Sequence, residues 1–173
     1  SCLILKLTSK IVKLIYDEEQ FIKNLADFII STLNRSVTSL NTLGQKIIHE
    51  VLDTISKENN VDSQGLKNVT NFLIYLSEKV PKVIFSNLSS LVGFYDLDSY
   101  LVRNNLTEML TNIIINILTN NTDELDQDTK ANYYKTKTGF INMLFERIYD
   151  KSPFCRKNSL QSLSNLSAMT LKS

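Results

Sequence analysis

Glycine and proline are scarce in this 173-residue chain, with four and two copies. That scarcity excludes a collagen-like rod, a disordered linker and a Gly-rich loop of the kind that cradles phosphates. Cysteine is nearly as rare: Cys2 and Cys155 are far apart, so there is neither a disulfide framework nor a C-x-x-C metal knuckle, and a reducing compartment is expected. The single histidine, His49, excludes a multi-histidine metal site. An excess of one charge is also missing. Lys and Arg number 19 against 18 Asp and Glu, which excludes a strongly basic, histone-like nucleic-acid binder but not a local basic patch. No apolar run approaches the roughly 18 residues of a membrane span, and Ser1-Cys2-Leu3-Ile4-Leu5-Lys6 lacks the basic start of a signal peptide. The chain does not begin with Met and opens inside an apolar-periodic stretch, so it reads as a piece of a longer protein. Asn-x-Ser/Thr sequons at Asn34, Asn68, Asn87, Asn105, Asn120 and Asn165 are what chance gives in so Asn-rich a sequence.

What is present is helical periodicity, in almost every window. Stripes run through Ile22, Leu25, Ile29 and Leu33; through Leu40, Leu43, Ile47, Val51 and Ile55; and through Val69, Phe72, Leu73, Leu76 and Val80. Two more follow, Leu106, Leu110, Ile113 and Ile117, then Phe140, Ile141, Leu144, Phe145 and Ile148. The β-branched run 112–117 sits inside the fourth stripe and reads as helix. Acids at Asp17-Glu18-Glu19 suit a first helical turn. Asp62 or Ser63, Asp98-Ser99 and Ser152 are cap candidates, and Pro81 and Pro153 suit the first helical position, where the missing N–H is not needed. The expected helices are 3–16, 18–34, 37–56, 63–79, 81–94, 99–119, 129–149 and 153–170. The fold class is therefore all-α, and short connections leave a closed bundle or a stack of antiparallel hairpins.

An internal repeat favours the stack. Ser99-Tyr100-Leu101-Val102-Arg103-Asn104 aligns with Ser152-Pro153-Phe154-Cys155-Arg156-Lys157, each after an acid, Asp98 and Asp150, with Leu110 matching Leu163. This is the turn pattern of a HEAT unit, and it implies a HEAT/armadillo-like α-solenoid. Physically, the acid caps the second helix, and the Arg one turn in reaches the acid of a neighbouring repeat. Asp98, Arg103, Asp150 and Arg156 are thus read as a structural ladder in preference to DNA contacts.

Three blocks carry a closer resemblance. Gly65-Leu66-Lys67 followed by Phe72-Leu73-Ile74-Tyr75-Leu76-Ser77-Glu78-Lys79-Val80-Pro81 is similar to a "G-x-K…F-L-x-x-L-x-E-x-x-P" helix of the condensin subunit 1 family. Leu88-Ser89-Ser90-Leu91 leading to Asp98-Ser99-Tyr100-Leu101-Val102-Arg103-Asn104-Asn105 resembles that family's "L-D-x-x-S/N-Y-x-x-R-N" turn. Glu146-Arg147-Ile148-Tyr149-Asp150 with Ser152-Pro153-Phe154-Cys155-Arg156-Lys157 is similar to its "E-R-x-x-D-x-N/S-x-x-V-R-x-K" block, with Cys155 where Val is usual. The best match covers 62–166 within one segment, 1–173, of a longer array; the first 60 residues fit as helical filler. The resemblance implies a non-catalytic scaffold that binds a kleisin and the SMC ATPase subunits in the nucleus and on chromosomes, and that meets double-stranded DNA through sequence-blind phosphate contacts. Scaffolds of condensin II, cohesin-related, phosphatase or transport complexes are the alternative.

Lys130, Lys135, Lys137, Lys151, Arg156 and Lys157, with Arg147, concentrate positive charge toward the C-terminal third, beside Tyr133 and Tyr134. They read either as a phosphate-contacting surface or as a solvated helical face. His49 is expected at a helix edge. Cys155 is expected to pack as a small apolar residue. Phe72, Phe94, Phe140 and Phe145 are expected in the core. Asp123, Glu124, Asp126 and Asp128 lack the central Gly and closing Glu of a Ca²⁺ loop. With no GxSxG, GxxxxGK[ST] or HExxH present, neither an enzyme nor a cofactor is expected; a small helical enzyme would need an unrecognised site.

Overall fold

The computed structural model describes residues 2–33, 38–57, 62–87, 91–117 and 127–170. Among them are eight α-helices and no strand: α1 (Cys2–Asp17), α2 (Ile22–Leu33), α3 (Thr38–Lys57), α4 (Gln64–Lys79), α5 (Pro81–Ser86), α6 (Tyr100–Asn116), α7 (Gln127–Glu146) and α8 (Pro153–Thr170). Short 3-10 turns occupy Glu19–Phe21, Gly93–Asp96 and Arg147–Tyr149.

The helices stack in two rows. α1, α4, α6 and α8 form one row, each packed on the next, with the α4–α6 and α6–α8 interfaces the most extensive. α2 and α3, then α5, then α7 lie against them as the second row. This is the all-α hairpin stack that the internal repeat implied. One continuous apolar core threads it through Ile15, Ile29, Ile47, Phe72, Leu73, Leu106, Leu110 and Leu144. The stripes supply it because residues three and four apart share a helix face.

Caps set the ends of the row helices. Ser63 Oγ accepts the Leu66 N–H at the start of α4. Ser99 Oγ accepts the Val102 N–H at the start of α6 at 3.2 Å. Asp98, expected as the cap, instead faces solvent beside Lys151. Asp62 also departs from expectation. It sits in the left-handed region at φ 62°, which Asp tolerates. From there its carboxylate accepts from Ser99 Oγ at 2.5 Å and from the Leu101 N–H at 3.3 Å, so it caps α6 and not its own helix.

Other differences are local. The helix expected over 81–94 stops at Ser86, because Asn87 turns its side-chain amide back onto the Val83 carbonyl. The helix expected over 18–34 begins as the 3-10 turn and becomes α-helical at Ile22, so Asp17 ends α1 and does not open α2. The helix expected to Tyr149 tightens after Glu146, where Arg147 is pulled onto the Tyr95 carbonyl. Phe145, expected in the core, is 52% exposed; Phe72, Phe94 and Phe140 are buried. The run 112–117 is helical through Asn116. The sequons at Asn34 and Asn120, the side chain of Leu40, and Asp123, Glu124 and Asp126 lie outside the described residues.

Candidate functional site

The turns that open α6 and α8 are built alike. Arg103 Nη1 donates to the carbonyls of Leu97 and Asp98, at 2.6 and 2.8 Å. Arg156 Nη1 donates to those of Asp150 and Lys151, at 2.9 and 3.1 Å. In each case the guanidinium closes the turn from which its own helix departs. Arg103 then reaches onward: Nε and Nη2 grip the two oxygens of Asp150, at 2.8 and 2.9 Å. Both side chains are buried, with exposures of 4% and 1%. A planar fork suits a carboxylate in this geometry, and Lys could not replace it.

Asp150 collects further donors, from the Ser152 N–H at 2.8 Å and from Arg147 Nη1 at 3.0 Å. Burial pushes its carboxyl up, but the hydrogen bonds from Arg103, Ser152 and Arg147 outweigh it and hold the group well below the usual carboxylate range. Arg147 was read in the sequence as one more surface cation. It is in fact three-quarters or more enclosed, with its guanidinium 4.7 Å over the Tyr95 ring. Burial pushes the Tyr95 hydroxyl up to about 12. Asp150 lies within local reach of Arg147, three residues on, but the Tyr95 carbonyl and ring that draw it inward lie 52 residues away and leave no mark in the local spacing.

Amide side chains complete the seams between row helices. Asn68 Nδ2 donates to the Tyr16 carbonyl, Asn105 Nδ2 to Thr70 Oγ1, Asn112 Nδ2 to Ser77 Oγ, and Asn158 Nδ2 to the Asn104 carbonyl. Gly65 lets α1 and α4 meet closely: a Cβ there would stand 2.1 Å from the Tyr16 ring. Cys155 is fully buried with Sγ 3.2 Å from the Tyr100 carbonyl, and burial, then the Asp150 carboxylate, push its thiol up. It has none of the character of an activated thiolate. His49 is exposed on α3.

The basic residues do not form one compact patch. Lys130, Lys135 and Lys137 sit in the first half of α7, whereas Lys151, Arg156 and Lys157 sit beyond its other end. The distance along α7 from Lys130 to Glu146 is about 24 Å at the usual helical rise. Lys151 Nζ is 2.8 Å from Asp98 Oδ1, with both groups largely in solvent, and this bond holds the Asp98 carboxyl low. Arg156 spends one nitrogen on its turn. Lys135 and Lys157 are exposed. No group of three or more potential metal ligands occurs among the described residues, and no described helix is long and apolar enough to cross a membrane.

No family model matches the chain. Individual relatives do. The condensin-1 complex subunit CAP-D2 of Arabidopsis thaliana is 29% identical over 158 residues, covering 91% of this chain and 11% of the relative. Condensin complex subunit 1 of Schizosaccharomyces pombe is 26% identical over 155 residues, covering 88% and 13%. The Saccharomyces cerevisiae protein of the same name is 28% identical over 131 residues, covering 73% and 10%. The chain thus spans about a tenth of the length of the curated relatives it matches. The hairpin stack, its repeated Arg turn and these like-named relatives together support the chain's resemblance to a segment of the condensin complex subunit 1 family.

Proposed function

We propose that this segment is part of a non-catalytic scaffold subunit of a condensin-type complex, acting on chromosomes in the nucleus. The observation that carries the reading is the similarity to condensin complex subunit 1 over about nine-tenths of the chain, on a fold that is a helical stack throughout its described residues. A stack of this kind exposes long surfaces and a repeated turn edge, which suits binding and not chemistry. The expected partners are a kleisin and the SMC ATPase subunits, and the ATP chemistry belongs to them.

In this reading Asp98, Arg103, Asp150 and Arg156 hold successive repeats in register. Lys130, Lys135 and Lys137, with Lys151, Arg156 and Lys157 at the far end of α7, supply phosphate contacts to double-stranded DNA. Such contacts carry no base code and weaken steeply with salt.

The test is affinity purification of the tagged full-length polypeptide from dividing cells, followed by mass spectrometry. Recovery of an SMC pair with a kleisin supports the reading, and the kleisin's identity separates the two condensins. Recovery of a phosphatase or a transport cargo in their place overturns it.

A further inference from the structure

The internal repeat gives residues of α8 their counterparts on α6, and the two helices are not buried alike. Arg103, Thr107, Thr111 and Ile114 share one face of α6, the side from which Arg103 reaches Asp150, and all four are buried. Their counterparts Arg156, Leu160, Ser164 and Ser167 are exposed on α8, Leu160 to 53%. The core side shows the same deficit: Leu110 and Ile113 are fully buried, whereas Leu163 and Leu166 are only partly so. Polarity does not make this face of α8 an outer wall, because the covered face of α6 is as rich in hydroxyls. Phe154, 64% exposed, stands where Leu101 is partly covered. On α7, Tyr134 and Phe145 lie eleven residues apart, close to three full turns, so they share a face, and both are exposed. Exposed apolar groups on both helices of one hairpin mark a surface that something covers.

Arg156 fixes the chemistry of that cover. Arg103 and Arg156 close their own turns with the same nitrogen, Nη1, on the carbonyls five and six residues back. Arg103 then spends Nε and Nη2 on the carboxylate of Asp150, which belongs to the turn that opens the next row helix. Nε and Nη2 of Arg156 have no partner among the described residues. α8 carries no acid to offer them, and Asp150 is committed to Arg103 and Arg147. A planar fork left open at the edge of an uncovered helix face suits a carboxylate carried by the turn of a following unit. The chain spans about a tenth of its relatives' length, so the full-length polypeptide has ample residues for such a unit. α8 against α8 of a second copy would set Arg156 and Lys157 on their like.

We propose that the polypeptide beyond Ser173 packs on α7 and α8 as a further helical hairpin. Its second helix stacks on Arg156, Leu160, Ser164 and Ser167, its first lies against Tyr134 and Phe145, and an Asp or Glu in the turn between them takes Nε and Nη2 of Arg156. The inference rests on the register role given above to Arg103 and Asp150 and carries it one unit further. It withdraws Arg156 from the DNA contacts and leaves Lys151 and Lys157 for them. The counterparts of those two lysines, Asp98 and Asn104, stay at least partly open with α8 in place.

The test uses the full-length polypeptide. Ser164→Cys and Lys157→Cys are treated with iodoacetamide, and peptide-level mass spectrometry follows each site. The thiol of Ser164→Cys is expected to react about tenfold or more slowly than that of Lys157→Cys, and equally fast in urea. Ser164→Cys exchanges a single heavy atom, so the fold is retained, which circular dichroism checks. Arg156→Lys, treated with a zero-length carbodiimide cross-linker, is expected to join residue 156 to an Asp or Glu beyond residue 173 of the same polypeptide. Equal labelling of the two sites overturns the proposal, and so does a cross-link confined to residues 1–173. Protection that fades on dilution assigns the face to a second copy, and protection seen only with bound subunits assigns it to a partner; either result overturns the proposal. If the purification recovers SMC and kleisin subunits while the two sites react alike, the hairpin fails alone. If it recovers other partners, the assembly reading fails and the labelling still decides the hairpin.

Discussion

Arg103 and Asp150 meet out of reach of water through two parallel hydrogen bonds, so removing either one strands the other as a buried, unpaired charge. That asymmetry sets the first prediction. Asp150→Ala or Arg103→Ala should destabilise the fold by about 3–5 kcal/mol, the usual cost of breaking a buried pair. A double replacement by apolar residues of similar size should recover much of the loss. Chemical denaturation of the three variants checks this; if the single variants cost no more than a surface change, the pair is not structural.

The same carboxylate gives a pH dependence with a definite sign. An unfolded Asp titrates near about pH 4, and the folded value lies below it because the donors around Asp150 outweigh burial. As acid is added, the unfolded state therefore takes up the proton first. The stability contributed by this group is complete above about pH 5 and drains away as pH falls through 4 toward the folded value. Urea midpoints measured between pH 6 and 3 should fall, and Asp150→Asn should lie lower at pH 6 with a shallower slope.

Gly65→Ala tests two opposed effects. Alanine favours a helix over glycine by about 1 kcal/mol. Here its methyl would meet the Tyr16 ring at 2.1 Å, and Tyr16 shares a hydrogen bond with Ser63, the cap of α4. Displacing a packed ring costs about 1–3 kcal/mol. A net loss of stability is expected in thermal melts, and a gain would show that α1 moves aside freely.

Cys155 should resist alkylation in the folded protein, because its sulfur is buried and its thiol is pushed up by burial and by the Asp150 carboxylate. Peptide-level mass spectrometry after iodoacetamide treatment should find it unmodified in buffer and fully modified in denaturant. Rapid native labelling would mean that the α6–α8 seam opens on the labelling timescale.

Much of the fold was legible because its signals are local. The apolar stripes name the buried faces of α2, α4 and α6, Ser63 and Ser99 cap the helices they precede, and Pro153 opens α8. What escaped the sequence depends on partners far along the chain. Asp62 looks like a cap for α4, yet it serves Ser99 and Leu101. Arg147 looks like part of a basic face, yet Tyr95, 52 residues away, draws it inward. Phe145 keeps the helical spacing of a core residue but falls on the exposed side of α7, since a stripe gives a direction and not the width of its cover. The contact of Tyr100 with Phe154 was half visible: the repeat aligns the two one position apart, but only the packing of α8 on α6 brings the rings to 5.7 Å between centroids.

α6 is buried around most of its circumference, from Val102 and Arg103 through Leu106, Thr107, Leu110 and Thr111 to Ile114, and its threonine hydroxyls turn back onto their own helix, to the carbonyls of Arg103 and Thr107. Repeat arrays can fray from an end one unit at a time when each unit leans only on its neighbours. Here, lifting α4 or α8 would leave a helix with no solvated side to fall back on. Helices α4, α6 and α8 should therefore open as one cooperative block, with the amides of α6 the last to exchange with solvent and α1 and α2 free to loosen before them.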